Sequence, residues 1–446
     1  MIPVSRRLLS SGRGLPTPRF DFEFISKHVE QVQQNVLERK CGGDPVLVDK
    51  LYKQYSGSNR KLDRLRQQRN EFARNMKALT SKEGGGTGDL ASLREEGKRI
   101  KTEAKEEELV TKAIFDELIQ EASKLPNQSH PKSPIGGEEN ATEVLQFGKI
   151  PKFDFEAQDH VDIAEKFDLV DSAGGAKIAG SKFTVLRNEA VMMELGLVMW
   201  AMKKLAAKGF APVMPPDVAS DSIIERCGFQ PRENEADGSA SQIYNIEDTG
   251  LSLIGTSEIS LAGLQSGNNL QEHVLPLRYA GFSHCFRREA GARGAVNKGL
   301  YRLHQFSKVE MFSYCEPSSS EDILQEMVDV QVEILSELGL HGRVLDMPTE
   351  ELGASANRKF DVEVYMPGRG AYGEVCSASN CTDYQTRRLG ITCEVSGGKQ
   401  FAHTVNATAL AVPRVILAIL ETHQTKDGTV SLPEPLHAYM GKTFLS

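Results

Sequence analysis

The segment 51–79 restricts the possible folds more than any other part of the chain. Apolar or near-apolar residues recur at Leu51, Tyr55, Leu62, Leu65, Phe72, Met76 and Leu79 in steps that alternate four and three, with Ser58 and Arg69 filling the gaps in the stripe. A seam of about four heptads predicts a long helix that must bury one face against a partner helix. SKEGGGTGD at 81–89 follows, a Gly-rich run that no helix continues through. A second, weaker seam (Leu93, Ile100, Ala104, Ile114, Leu118) ends before Pro126. Two helices joined by a short turn predict an antiparallel helical hairpin. Its first leg carries Lys53, Arg60, Lys61, Arg64, Arg66, Arg69, Arg74 and Lys77 against Asp63 and Glu71. Two readings fit such a leg: a contact with a phosphate backbone, or the solvated face of a coiled coil.

The rest of the chain does not share that basic bias. The net charge of −8 excludes a uniformly basic nucleic-acid coat, so any such contact must be local. No apolar run approaches the roughly 18 residues of a membrane span, so no membrane association is expected. The seven cysteines are scattered without a C-x-x-C pair. They predict a reduced compartment, with neither a disulfide framework nor a zinc knuckle. Residues 1–20 hold Arg6, Arg7, Arg13 and Arg19 and no acid. Such a segment predicts a mitochondrial transit peptide and a matrix location, the alternative being an ordinary disordered tail.

PNQSHPKSPIGGEEN, from Pro126 to Asn140, marks a linker and a domain boundary. The expected division is a helical arm at 21–130, a linker at 131–150 and a larger domain at 151–446. Beyond the linker the pattern predicts helices at 188–207 and 321–338, and strands at 273–288, 301–315, 360–366 and 372–378. Strands and helices do not alternate regularly, so the fold class is α+β with an antiparallel sheet. The chain lacks G-x-x-x-x-G-K-[ST], so any use of ATP needs another architecture.

Runs 284–289 and 301–310 flank the Gly-rich loop AGARGAVNKG and predict a hairpin. Strand parity places Arg287 with Glu289 on one face, and Arg302, His304, Phe306, Lys308 and Glu310 on the face of its neighbour. Charged cross-strand pairs on a solvated sheet would look similar. A phenylalanine among the charges instead suits a platform that stacks a base. In HTVNATALAVPRVILAILETHQ, Pro413 opens an apolar helix with Arg414 in its first turn. A cation there opposes the helix dipole unless an anion binds, which points to a phosphate, the alternative being an ordinary surface arginine. GTSEIS places Thr256 and Glu258 on one side of an extended segment. GEVCSASN offers Glu374 and Ser377 as hard oxygen ligands for Mg2+.

Together and in this order, these pieces resemble the seryl-tRNA synthetase family of class II synthetases. MPGRGAYGEVCSASNCTDYQTRRLG and FAHTVNATALAVPR resemble its mitochondrial branch. The resemblance covers nearly the whole chain. It implies a serine–tRNA ligase: ATP-dependent activation of L-serine to seryl-adenylate, then transfer to the 3′ end of tRNA(Ser), which the arm engages. By position, Thr256, Ser257 and Glu258 would bind serine, as would Glu310, through its ammonium, and Thr408. Arg287, Arg288, Glu289 and Phe306 would bind ATP: Arg287 clamps the α-phosphate, Glu289 contacts adenine and Phe306 stacks on it. Glu374, Val375, Cys376 and Ser377 would supply further ATP contacts, with Mg2+ on Glu374 and Ser377. Arg414 would hold the γ-phosphate, and Arg287 and Arg414 would carry the catalysis. The 188–207 helix and APVMPP at 211–216 resemble motif 1 and imply a homodimer. Two departures stand out: AVNK at 295–298 replaces a more polar stretch, and Cys376 stands where Thr or Ser is more frequent. A catalytically inactive paralogue acting as a binding partner would have lost these groups, and a ligase acting on a carrier protein would lack the arm.

Overall fold

The computed structural model describes residues 14–80, 87–229, 242–289 and 299–446, with no side-chain description at 78–80 or 87–91. Residues 1–13 of the expected leader, the Gly-rich turn at 81–86 and the 290–298 loop with its AVNK stretch lie outside the described residues. The chain forms two compact units. One is Phe20–Pro126, and the other joins Asn127–Ser446 to the segment before Phe20.

In the smaller unit, α1 (Phe22–Lys27) and α2 (Val29–Glu38) precede two long helices, α3 (Pro45–Thr80) and α4 (Thr87–Ser123). Asp44 starts α3, its carboxylate accepting from the amides of Val46 at 2.9 Å and Leu47 at 3.0 Å. The two legs run antiparallel: Tyr55 packs on Phe115 with ring centroids 5.0 Å apart, and Phe72 lies over Gly97 farther along. A Cβ at Gly97 would sit 2.6 Å from the Phe72 ring, so a larger residue there would displace that ring. Leu51, Leu62, Leu65, Ile100, Ala104 and Leu118 are buried, as the seams predict. The gap between Ala104 and Ile114 is filled by Glu107 and Thr111, which are buried although polar because Ser58 faces them across the seam.

The larger unit holds an eight-stranded sheet built from β1 (Thr142–Phe147), β2 (Ala211–Val213), β3 (Leu277–Phe286), β4 (Gln305–Cys315), β5 (Gly342–Asp346), β6 (Arg358–Met366), β7 (Ala371–Thr382) and β8 (His403–Ala411). Their order is β1-β5-β6-β7-β8-β4-β3-β2. All neighbours are antiparallel except β2 and β3 at the sheet edge, in line with the expected α+β class built on an antiparallel sheet. The helices that flank the sheet are α5 (Glu189–Ala207), α6 (Ser257–Gly263), α7 (Ser320–Glu337), α8 (Tyr384–Leu389) and α9 (Val412–Thr422).

Three boundaries differ from the sequence reading. The unit boundary falls at Pro126/Asn127, because the Asn127 amide donates to Ser355 O and Cys381 O, both at 2.9 Å, and ties this residue to the larger unit. The expected linker at 131–150 contains β1, which pairs with β5 at the sheet edge. The expected leader at 1–20 overlaps folded chain: Arg226 donates to Pro16 O at 2.5 Å and the Arg19 amide to Arg387 O at 2.9 Å.

Candidate active site

A cleft of about 390 Å3 opens over β4, β7 and β8. That volume suits a small-molecule ligand. On β4 simple alternation brings Phe306, Lys308 and Glu310 to it. On β7, Glu374 and Ser377 are three residues apart, and alternation alone would put them on opposite faces. The pairing slips here, Val362 facing Cys376 while Glu363 faces Glu374, so Val375 is an extra, bulged residue. The bulge returns Glu374 and Ser377 to one face and turns Val375 and Cys376 into the core. β8 repeats the device: Val309 faces Leu410 and Glu310 faces Thr408, which leaves Ala409 unpaired. Two groups satisfy carbonyls at the bulges. The buried Gln331 amide donates to Ser377 O and Thr408 O at 2.8 Å each, and the Cys376 thiol donates to Ala409 O at 3.5 Å.

Among the described residues three guanidinium groups line the cleft, those of Arg287, Arg302 and Arg414. Arg287, just past β3, lies 5.4 Å over the Phe306 ring and donates to Gly255 O at 3.3 Å. Arg414 is the one residue of α9 that is not buried. It donates to Tyr301 O at 3.1 Å, to Glu374 O at 2.9 Å and to the Glu374 carboxylate at 3.1 Å. Tyr301 is held between Arg414 and Arg369, whose guanidinium carbons lie 4.7 and 4.5 Å from its ring centre. Burial alone would raise the Glu374 carboxyl, but Arg414 and Lys359 outweigh it and hold the pKa at about 2. Lys359 also lines the cleft, paired with Asp361 at 2.8 Å. Burial raises Asp361 to about 7 in spite of that lysine. A flat aromatic surface beneath cations is a surface for a base and its phosphates.

Deeper in the cleft is a small polar chamber. Thr256 is the N-cap of α6, and its hydroxyl accepts from the Glu258 amide at 3.3 Å. The buried Lys308 ammonium reaches Glu310 Oε2 at 2.6 Å, Thr256 Oγ1 at 2.7 Å and Thr408 Oγ1 at 3.3 Å. The Thr408 hydroxyl donates to Glu310 Oε2 at 3.0 Å. Glu258 accepts from the Gln385 amide at 2.7 Å. Burial and then the nearby Glu310 carboxylate raise the Glu258 carboxyl to about 7, against the pull of Lys308.

Comparison with known proteins decides the family. Residues 244–423 match the family described as tRNA synthetase class II core domain (G, H, P, S and T), and residues 20–129 match the seryl-tRNA synthetase N-terminal domain. The chain is 42% identical to the serine–tRNA ligase of Treponema denticola, over 94% of this chain and 98% of that protein. It is 43% identical to that of Rubrobacter xylanophilus, over 95% of this chain and 98% of that protein. The chain belongs to the seryl-tRNA synthetase family. A crystal structure of seryl-tRNA synthetase from Pyrococcus horikoshii, complexed with ATP, superposes with a TM-score of 0.86 at 33% identity, covering 96% of this chain and 99% of the other. Cytoplasmic serine–tRNA ligase from Naegleria fowleri, in complex with AMP, gives 0.81 at 26% identity, covering 97% and 99%. The fold is thus that of a class II synthetase, with a helical arm at its N-terminal side.

In this seryl-tRNA synthetase, Thr256, Glu258, Arg287, Glu289, Phe306, Glu310, Glu374, Ser377, Thr408 and Arg414 line one cleft. Val375 and Cys376 border it but send their side chains into the core. Ser257 and Arg288 do not line it. Ser257 is fully buried, its hydroxyl without a partner among the described residues, because the helix starting there turns it away from Thr256 and Glu258. Arg288 is exposed, with its amide bonded to Gln242 O. Thr256 and Glu258 share a side through a helix N-terminus and not through an extended segment. His304 leaves the expected charged face, since β4 begins only at Gln305; it bonds to the Tyr244 hydroxyl at 2.6 Å and stacks on Phe183. Arg302 also precedes β4, yet reaches the cleft and pairs with Glu289 at 3.0 Å. Tyr301, Lys359 and Asn406 line the cleft without having been assigned to it. Parity placed Lys308 with Phe306 and Glu310, but nothing in the sequence distinguished it from a surface lysine.

Proposed function

We propose that this chain activates L-serine with ATP to seryl-adenylate and transfers the seryl group to the 3′ end of tRNA(Ser) in the mitochondrial matrix. One observation supports the chemistry above all others: the cation-and-aromatic surface of Arg287, Arg414 and Phe306 adjoins the hydroxyl-rich chamber of Thr256, Thr408 and Glu310. The triphosphate lies along the first and the amino acid in the second. The serine carboxylate then attacks the α-phosphorus in line and displaces pyrophosphate. Arg287 neutralises charge that develops at the α-phosphate, and Arg414 does so at the leaving group. A 3′-terminal ribose hydroxyl of the tRNA next attacks the acyl carbon and releases AMP. Neither step needs a side-chain nucleophile.

Glu374 and Ser377 fit a Mg2+ ion bound together with phosphate oxygens. They present hard oxygen donors on one face, and Glu374 is ionised at any working pH. Such an ion would screen the β- and γ-phosphates. Basic residues with no ion pair among the described residues, Arg64, Arg69 and Arg74, are exposed along α3 and form the surface for the tRNA backbone. Exposed Val191, Met192, Leu195 and Met199 on α5, with Met214, support a homodimer through this face. The acid-free basic segment at 1–20 supports the matrix location. The test is pyrophosphate exchange with each amino acid in turn, followed by charging of mitochondrial and cytosolic tRNA(Ser). Serine alone should drive exchange. Exchange driven by another amino acid, or by none, would refute the reading.

A further inference from the structure

The hydrogen-bond capacity of the chamber can be counted group by group. Lys308 has three donors and no acceptor, and all three are used: on Glu310 Oε2, Thr256 Oγ1 and Thr408 Oγ1. The Thr256 hydroxyl accepts from Lys308 and from the Glu258 amide, so both of its lone pairs are occupied and only its proton is free. The Thr408 hydroxyl gives its proton to Glu310 Oε2 and accepts from Lys308, which leaves one lone pair. Glu310 uses Oε2 twice, while its Oε1 has no partner among the described residues. All four side chains are buried. Around Lys308 the chamber therefore offers two acceptors, Glu310 Oε1 and Thr408 Oγ1, and one donor, Thr256 O–H, while Glu258, whose Oε1 accepts from Gln385, adds its second oxygen at the wall. Without the lysine, Thr408 would still donate to Glu310 Oε2 and Thr256 would still accept from the Glu258 amide, but each hydroxyl and Oε2 would regain a lone pair that Lys308 now occupies.

We infer that Lys308 is a specificity-determining residue: by occupying these lone pairs it orients the chamber to accept a small amino acid whose side chain is itself a hydrogen-bond donor, and to refuse the isosteric amino acid that lacks one. The bound ammonium and hydroxyl together supply the donors that Glu310 Oε1 and Thr408 require. Alanine supplies only the ammonium and leaves a buried acceptor orphaned. This assignment rests on the serine-activating reading above, and the experiment separates the two.

Pyrophosphate exchange is measured with serine and with alanine on the unaltered chain, on Lys308→Met, on Glu310→Gln, and on the double variant Lys308→Met/Glu310→Gln, which removes both members of the buried pair and leaves no lone charge. The expected result for Lys308→Met is a fall in serine kcat/KM of ~10²-fold. Its KM for ATP should stay within about twofold and its serine-to-alanine preference should fall at least ~10-fold. If Lys308→Met loses its ATP-dependent thermal shift, the double variant measured against Glu310→Gln alone carries the test: it should still bind ATP and discriminate serine from alanine less well than that single variant. Equal losses for serine and alanine, or a double variant with the preference of Glu310→Gln alone, would overturn the assignment while leaving the functional reading intact. Absence of serine-dependent exchange in the unaltered chain would overturn both.

Discussion

Two polar clusters of nearly the same composition sit in the two units of this protein, wholly buried in the cleft but with an exposed lysine in the arm. In the arm, the Ser58 hydroxyl donates to Glu107 Oε1 at 2.5 Å and shares a hydrogen bond with Thr111 at 2.8 Å, while Lys61 pairs with Glu107 Oε2 at 2.5 Å. In the cleft, Lys308, Glu310, Thr256 and Thr408 repeat the lysine, glutamate and hydroxyl set. The difference lies in saturation. Both Glu107 oxygens are occupied, so the arm cluster leaves no buried carboxylate oxygen for a ligand, and its effect is to pin the register of two helices, as a polar layer does in a coiled-coil seam. Glu310 keeps one oxygen free and Thr408 one lone pair, so the cleft cluster is complete only with a ligand. A finished polar network is structural, and an unfinished one surrounded by chemistry is a binding site.

The comparison can be broken at the cleft first, where the effects are largest. Arg287→Ala should lower serine-dependent exchange by ~10²- to 10³-fold, the usual loss for one preorganised charge at a reacting centre. The fold should survive, with an unchanged elution volume in size-exclusion chromatography, and full activity would remove Arg287 from the site.

Glu258 gives the next effect, a dependence on pH. Its pKa near 7 means that the free enzyme gains the carboxylate only as pH rises through that value. An ammonium ligand prefers the ionised form, so KM for serine should fall as pH goes from 6 to 8, by up to ~10-fold per unit below the pKa. Glu258→Gln should flatten that slope. For stability the sign is opposite: the folded pKa lies above the ordinary glutamate value of 4.5. Glu258 therefore weighs against folding increasingly between pH 4.5 and about 7 and constantly above. Glu258→Gln should accordingly raise the melting temperature at pH 8 but not at pH 4.

The smallest effect belongs to the arm. Ser58→Ala should leave Thr111 and one Glu107 oxygen short of a partner and weaken the local helix pair by ~1 to 2 kcal/mol. Faster amide hydrogen exchange in α3 and α4 would report it, with serine-dependent exchange unchanged. A fall in that activity would contradict the separation between a structural and a functional cluster.

Much of this architecture was legible in the residues. The heptad steps from Leu51 to Met76 determine a helix with one buried stripe, because side chains three and four apart share a helix face whatever lies beyond it. Pro413 and the apolar run behind it determine a buried helix with Arg414 in its first turn. Alternation on β4 determines that Phe306, Lys308 and Glu310 share a face. Each of these is a property of one element and its own period. Ser257 and Arg288 show the limit, since motif position implied contacts for them that a helix start and the end of β3 turn away.

Tertiary structure alone decided the rest. Glu374 and Ser377 meet on one face because Val375 bulges against β6, and Thr408 faces Glu310 because Ala409 bulges against β4. A bulge belongs to a pair of strands and not to either sequence, so no period in GEVCSASN or NATALAV reveals it. The same holds for Lys308. Its spacing names a face, but whether an ammonium is solvated or locked among Thr256, Thr408 and Glu310 depends on segments 52 and 100 residues away in the chain.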